Sequence, residues 1–256
     1  MAKKVPNLPG LQVPPDVPPV ERLRDIPRRP SKLGAVIFVL DFSGSTAKFH
    51  GDFRGMVGGM ANDVLVNYPQ AGPRVQVSVA GISGGPWVNL PPLDFYLPLD
   101  GLRAPEVEVG GDSPILQSAS VIGDMARAAH VEILRTSRIV THKVVFATDC
   151  GDNIVSASEQ ARAAAPWQQF LQDSPLTEVT LIVPDQSYNR DVAKLLFRPE
   201  QSLDDVIVLK DALSMGPKLF ERFAQVLRDV SKTVTGSGSN KLIKAPIQPM
   251  VLSTED

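Results

Sequence analysis

The sequence predicts an α/β fold with a Rossmann-like, doubly wound and mostly parallel sheet. Two continuous apolar, β-branched runs, Ala35 to Asp41 and Lys143 to Thr148, read as strands buried on both faces. Between and after them, apolar residues recur at helical spacing. The two patterns then alternate several times along the 256 residues, as helical crossovers between parallel strands require.

Residues 1–33 hold eight of the 23 prolines. Proline lacks an amide donor and disfavours helix before it, so this arm is expected to be extended or flexible. The folded domain is expected over 34–235. Within it, Ala35 to Asp41 is a strand bounded by Gly34. Phe53, Met56, Val57, Met60, Val64 and Tyr68 mark a helix that Gly55, Gly58 and Gly59 weaken. Arg74 to Ala80 alternates as a strand does. Trp87 to Leu97, punctured by Pro91 and Pro92, suits an irregular edge strand. Ile115, Ala119, Ile122, Ala126, Ala129 and Ile133 stripe a long helix. Lys143 to Thr148 is the next strand, and Ser156 to Gln172 a helix that Pro166 is expected to break. Glu178 to Val183 and Val206 to Lys210 are further strands. Leu219, Phe223, Val226, Leu227 and Val230 stripe a last helix, with Ser214 as its cap and Pro217 near its first turn. Residues 236–256 open on Gly-Ser sequence and read as a flexible tail.

Composition excludes several classes. A net charge of −2 gives no basic footprint for nucleic acid. No apolar run approaches the roughly 18 residues a membrane span needs. Lys3 and Lys4 lead into Pro-rich sequence instead of an apolar signal core, so the expected location is the cytoplasm. One cysteine, Cys150, forms no internal disulfide, and with three histidines it is a poor stock for a structural zinc module.

The chemistry lies in three loops. In open α/β sheets, sites form beyond the carboxyl ends of strands. The first strand ends in Asp41-Phe42-Ser43-Gly44-Ser45, and the Lys143 to Thr148 strand in Thr148-Asp149-Cys150-Gly151-Asp152. Gly110-Gly111-Asp112-Ser113-Pro114 opens the long helix. These loops offer carboxylates and hydroxyls, an all-oxygen set suited to Mg²⁺, Mn²⁺ or Ca²⁺. An ion with few anionic ligands keeps an open position that welcomes an external carboxylate.

Asp41, Ser43 and Ser45 match D-x-S-x-S, Ser113 with Pro114 and Ile115 matches G-[GD]-[TS]-P-[LI], and Asp149 matches the aspartate of T-D-G. In this the chain resembles the von Willebrand factor A (VWA) domain family and its metal-ion-dependent adhesion site. The resemblance implies a non-enzymatic, divalent-metal-dependent protein-interaction module. Ser43, Ser45 and Ser113 would be direct ligands, with Asp41 and Asp149 acting directly or through water. A partner's Asp or Glu would complete the coordination, with the loops around Phe42, Asp112 and Asp152 setting specificity. Asp112 and Asp152 are further candidate ligands. Two departures stand out: serine replaces threonine at 113, and Cys150 replaces the glycine after Asp149.

Leu97 to Pro105, Arg135 to Arg138, and Val206 to Asp211 with its Phe-containing helix are similar to the cytoplasmic bacterial tellurite-resistance (Ter) VWA group. That likeness implies a serine/threonine kinase-like protein and a PP2C-type phosphatase as partners, in stress response or phage defence. The alternative function is a structural or assembly subunit that keeps the fold without the ion and uses arm and tail to hold neighbours.

Rival chemistries lack parts. A hydrolase built on Ser113 lacks a histidine base after His142. A haloacid-dehalogenase nucleophile at Asp41 wants aspartate where Ser43 stands. No phosphate loop ending in Lys-Ser/Thr occurs. His130 is expected at the surface or boundary, His142 exposed, Trp167 in the core and Cys150 inert.

Overall fold

The computed structural model describes residues 32–44, 53–82, 95–103, 110–154, 156–185, 187–209 and 215–236. Expectations for Ser45, Trp87 and Ser214, and for nearly all of arm and tail, lie outside them. The strands are β1 (Lys32–Asp41), β2 (Val75–Ile82), β3 (Leu97–Pro98), β4 (Arg138–Ala147), β5 (Thr177–Val183) and β6 (Ile207–Val208). The helices are α1 (Phe53–Asn67), α2 (Ile115–Leu134), α3 (Ala157–Asp173), α4 (Arg190–Leu196) and α5 (Met215–Thr235).

The strands form one sheet in the order β3-β2-β1-β4-β5-β6. All pairs are parallel except β2 with β3. The chain winds from β1 to β2 and β3, then returns to lay β4 on the other side of β1. The order therefore reverses between β1 and β4, where open sheets place their ligands.

β1 is apolar from Leu33 to Leu40 because both faces are covered. Val36, Phe38 and Leu40 pack on one side with residues of α1 and α5. Ile37 and Val39 pack on the other with residues of α2, α3 and α4. Gly34 lets α5 approach: a Cβ there would sit 2.3 Å from Val230 Cγ1. Trp167 is buried in the second core, as expected, and its Nε1 donates to the Leu196 carbonyl at 2.9 Å.

Several elements depart from expectation. β1 begins at Lys32, so its first two residues come from the stretch assigned to the arm. α3 runs unbroken through Pro166. Ala164, Trp167, Phe170 and Leu171 are all buried around that proline. Their packing offsets the roughly 3 kcal/mol that an interior proline costs. Of the expected edge strand, only Leu97 lies in β3, with 83–94 outside the described residues. The strand expected at Val206 to Lys210 shortens to two residues, and Lys210 is outside the described residues. α4 has no counterpart among the elements expected from sequence. Its start is fixed by Asn189, whose side chain accepts from the amides of Asp191 and Val192.

Candidate metal site

The pocket is built from the ends of β1 and β4 and the start of α2. Asp41, the last residue of β1, is fully buried. Its Oδ1 accepts from the Ser43 amide at 2.9 Å, an Asx-type turn that folds the chain back directly after the strand. Ser113 Oγ donates to both carboxylate oxygens, at 3.0 and 3.1 Å. Thr148 Oγ1 donates to Oδ2 at 2.8 Å. Ser43, Ser113 and Thr148 are themselves buried. One carboxylate thus gathers three loops.

Backbone bonds hold the loops together. The Gly110 amide donates to the Phe42 carbonyl at 2.9 Å. Gly110 and Gly111 adopt φ of 130° and 78°, values that favour glycine. They let the loop turn sharply and deliver Ser113 to Asp41. At the third loop, Cys150 adopts φ 58°, the left-handed conformation a glycine would take. The Cys150 amide donates to Thr148 Oγ1 at 2.9 Å, and the Gly151 amide to Asp149 Oδ1 at 2.8 Å. Burial, then the nearby carboxylates of Asp149 and Asp41, pushes the Cys150 thiol far up.

The predicted residues divide. Asp41, Ser43 and Ser113 come together in one buried cluster. Asp149 sits half-buried beside it, within electrostatic reach of the same Cys150 thiol as Asp41. Asp112 is exposed. Asp152 points its carboxylate at backbone amides instead. Its Oδ2 accepts from the Leu116 amide at 3.0 Å and its Oδ1 from the Ile154 amide at 2.8 Å. It caps α2 across the loops, an N-cap supplied from outside the helix. Phe42, expected to shape the rim, is buried in the core under α1 and α5. Thr148 was not singled out as a site residue. The signal for it was its place at a strand end, directly before Asp149.

The donor set is carboxylate and hydroxyl oxygen throughout. Among the described residues no three His, Cys, Asp or Glu side chains group to hold an ion, so an ion here depends on hydroxyl donors. The set fits a hard divalent cation.

A second polar cluster lies elsewhere in the sheet. His142 on β4, expected to be exposed, is buried. Its Nδ1 lies 2.8 Å from Thr177 Oγ1, at the start of β5, and its Nε2 lies 3.0 Å from the Tyr96 hydroxyl. The same hydroxyl lies 3.2 Å from His130 Nε2 on α2. His142 is covered because Tyr96, ahead of β3, and His130 fold over it. Burial lowers His130 to about 4. Burial, then His130, holds His142 well below its ordinary value.

No protein-family model matches the chain, and a search of curated proteins finds no match. Solved structures do resemble it. Proximal thread matrix protein 1 from the mussel byssus is 13% identical with a TM-score of 0.48, over 79% of this chain and 49% of that one. That protein has also been solved with a zinc-occupied metal-ion-dependent adhesion motif. The pilus adhesin SpaC from Lactobacillus rhamnosus GG is 14% identical with a TM-score of 0.47, over 79% of this chain and 30% of that one. Manganese-loaded TRAP protein from Plasmodium vivax is 14% identical with a TM-score of 0.37, over 72% of this chain and 71% of that one. The chain thus spans half or less of the first two proteins. The scores are low, and the reading of the site rests on its own geometry. Among the described residues, no helix is long and apolar enough to cross a membrane.

Proposed function

We propose that the chain is a non-enzymatic protein-interaction module of VWA type. Its Asp41 pocket would hold a divalent cation, Mg²⁺, Mn²⁺ or Ca²⁺, whose open position takes an Asp or Glu from a protein partner. One observation carries this reading: a buried carboxylate at the switch point gathers Ser43, Ser113 and Thr148 from three loops. The Ser43 and Ser113 hydroxyls would hold the ion, with Asp41 keeping Ser113 in place. Ser45 and Asp149 complete the proposed donor set. The ion supplies a fixed positive charge that a partner carboxylate neutralises.

The alternative is a structural or assembly subunit without the ion. It is favoured by the way Asp41 accepts from Ser43, Ser113 and Thr148, a network that closes on itself. Calorimetric titration of Mg²⁺, Mn²⁺ and Ca²⁺ into the wild type and Asp41→Ala separates the two. Saturable binding that disappears in the variant supports the module. No binding by the wild type moves the assignment to the subunit.

From the Ter resemblance alone come the finer parts of the proposal. These are cytoplasmic action beside a kinase-like protein and a PP2C-type phosphatase, in stress response, phage defence or tellurite resistance. Capture of either partner class that is lost on adding chelator would support them.

A further inference from the structure

The second polar cluster has the form of a metal site of a different kind. We propose that His130, His142 and Tyr96 bind one transition-metal ion, Cu²⁺ or Zn²⁺, through two imidazole nitrogens and a phenolate oxygen. The proposal is independent of the Asp41 site and of its function.

Geometry is the first ground. Both Nε2 atoms converge on one point, the Tyr96 oxygen, at 3.0 and 3.2 Å. Ligands about 2.0–2.1 Å from a tetrahedral ion stand about 3.3 Å apart. The two spacings to the Tyr96 oxygen are already near that value.

The surroundings of the ligands are the second ground. A metal-binding histidine usually holds its other ring nitrogen in a fixed hydrogen bond. His142 Nδ1 has that bond, 2.8 Å from Thr177 Oγ1. With the proton on Nδ1, the Nε2 lone pair faces the phenol. Around the donors stands an apolar shell. The Phe170 ring centre lies 6.2 Å from His130 and 6.0 Å from His142, and that of Phe95 lies 4.8 Å from Tyr96. Tyr96 and His130 are half-buried and His142 is buried.

Donor type is the third ground. Two imidazoles and one oxygen suit Cu²⁺ and Zn²⁺, not the hard ions suited to the oxygen pocket. The residue count that argues against a structural zinc module does not include Tyr96. On binding, the Tyr96 O–H bond breaks, its proton leaves to solvent, and the phenolate oxygen donates its electron pair to the ion. The His130 Nε2–H that faces the same oxygen gives its proton to solvent while Nδ1 takes one up, which frees the Nε2 lone pair. No electron is transferred.

The test is titration of Cu²⁺ and Zn²⁺ into the full chain at neutral pH, by calorimetry and visible absorption. The expected result is one equivalent bound, with a phenolate-to-copper charge-transfer band in the visible. Tyr96→Phe abolishes the band and weakens binding at least tenfold. His130→Gln, at a half-buried position, weakens it similarly, and it decides the matter if thermal melting shows that Tyr96→Phe is unfolded. His50→Gln, which removes the third histidine of the chain, binds as the wild type does. The proposal is overturned if no Cu²⁺ or Zn²⁺ is taken up. Cu²⁺ uptake without the band, or uptake lost in His50→Gln, overturns it equally.

Discussion

β4 reaches two buried polar clusters, and they are built on opposite rules. Thr148, just past its carboxyl end, joins a cluster centred on the carboxylate of Asp41 and made wholly of oxygen. His142, in its first half, joins a cluster of imidazole, phenol and hydroxyl groups. At the first, one carboxylate gathers donors from three loops. At the second, a single phenol bridges two imidazoles in an apolar setting. A buried carboxylate holds loops that would otherwise be free to part. The imidazole–phenol chain ties α2, β4, β5 and the segment ahead of β3 into one piece. The first is suited to recognition and the second to cohesion around a softer ion.

The largest expected effect is at Asp41. Asp41→Ala leaves the Ser43 amide and the Ser113 and Thr148 hydroxyls without their acceptor. Each buried orphan costs about 1–3 kcal/mol, so a loss on the order of 3 kcal/mol is expected in urea unfolding. A loss near zero would mean that the loops are held by something else.

Tyr96→Phe is the matching break at the second cluster. It removes one hydroxyl and strands two imidazole nitrogens, at an expected cost of about 2 kcal/mol by the same measurement. It should leave divalent-cation binding at the Asp41 pocket unchanged. A change there would show that the two clusters are coupled along β4.

Acid should separate the clusters further. His130 titrates near 4 in the folded chain against 6.5 for an unperturbed imidazole, because burial disfavours its charged form. The unfolded chain therefore binds more protons between those values, and stability falls as pH drops from about 6.5 toward 4. His142, lowered in the same direction, adds to the fall. Thermal melts across this window should show it, with a shallower slope in His130→Gln. A flat profile would contradict the buried, neutral imidazoles.

Cys150→Gly should have the smallest effect. Relief of the left-handed backbone, about 1 kcal/mol, opposes the loss of a buried thiol of similar worth. A net change under about 1 kcal/mol is expected, with cation binding unaltered. A large destabilisation would show that the thiol braces the third loop.

These contrasts also explain what the sequence disclosed. β1 and β4 were legible because a strand covered on both faces is apolar at nearly every position. The Asp41 cluster was legible because Asp41 and Ser43 fall at the end of a strand and Ser113 at the start of a long helix, where spacing and position coincide. His142 was misread because its neighbours along the chain do not show that Tyr96 and His130 fold over it. Asp152 shows a related limit: the sequence beside a metal-like motif does not disclose that its carboxylate also accepts from the amides of Leu116 and Ile154. Pro166 predicted a break on local grounds, and the packing of Trp167 and Phe170 overrode it. Phe42 lies inside the motif, yet its side chain belongs to the core.

The central claim is that the Asp41 pocket holds a divalent cation through hydroxyl oxygens. Mn²⁺ titration followed by the electron paramagnetic resonance of the free ion, on the wild type and Ser113→Ala, tests it most directly. That variant removes one hydroxyl and leaves Asp41 and Thr148 in place. The account predicts one bound Mn²⁺ in the wild type and at least tenfold weaker binding in Ser113→Ala. A wild type that leaves all Mn²⁺ free, or a variant that binds it equally well, would contradict the claim.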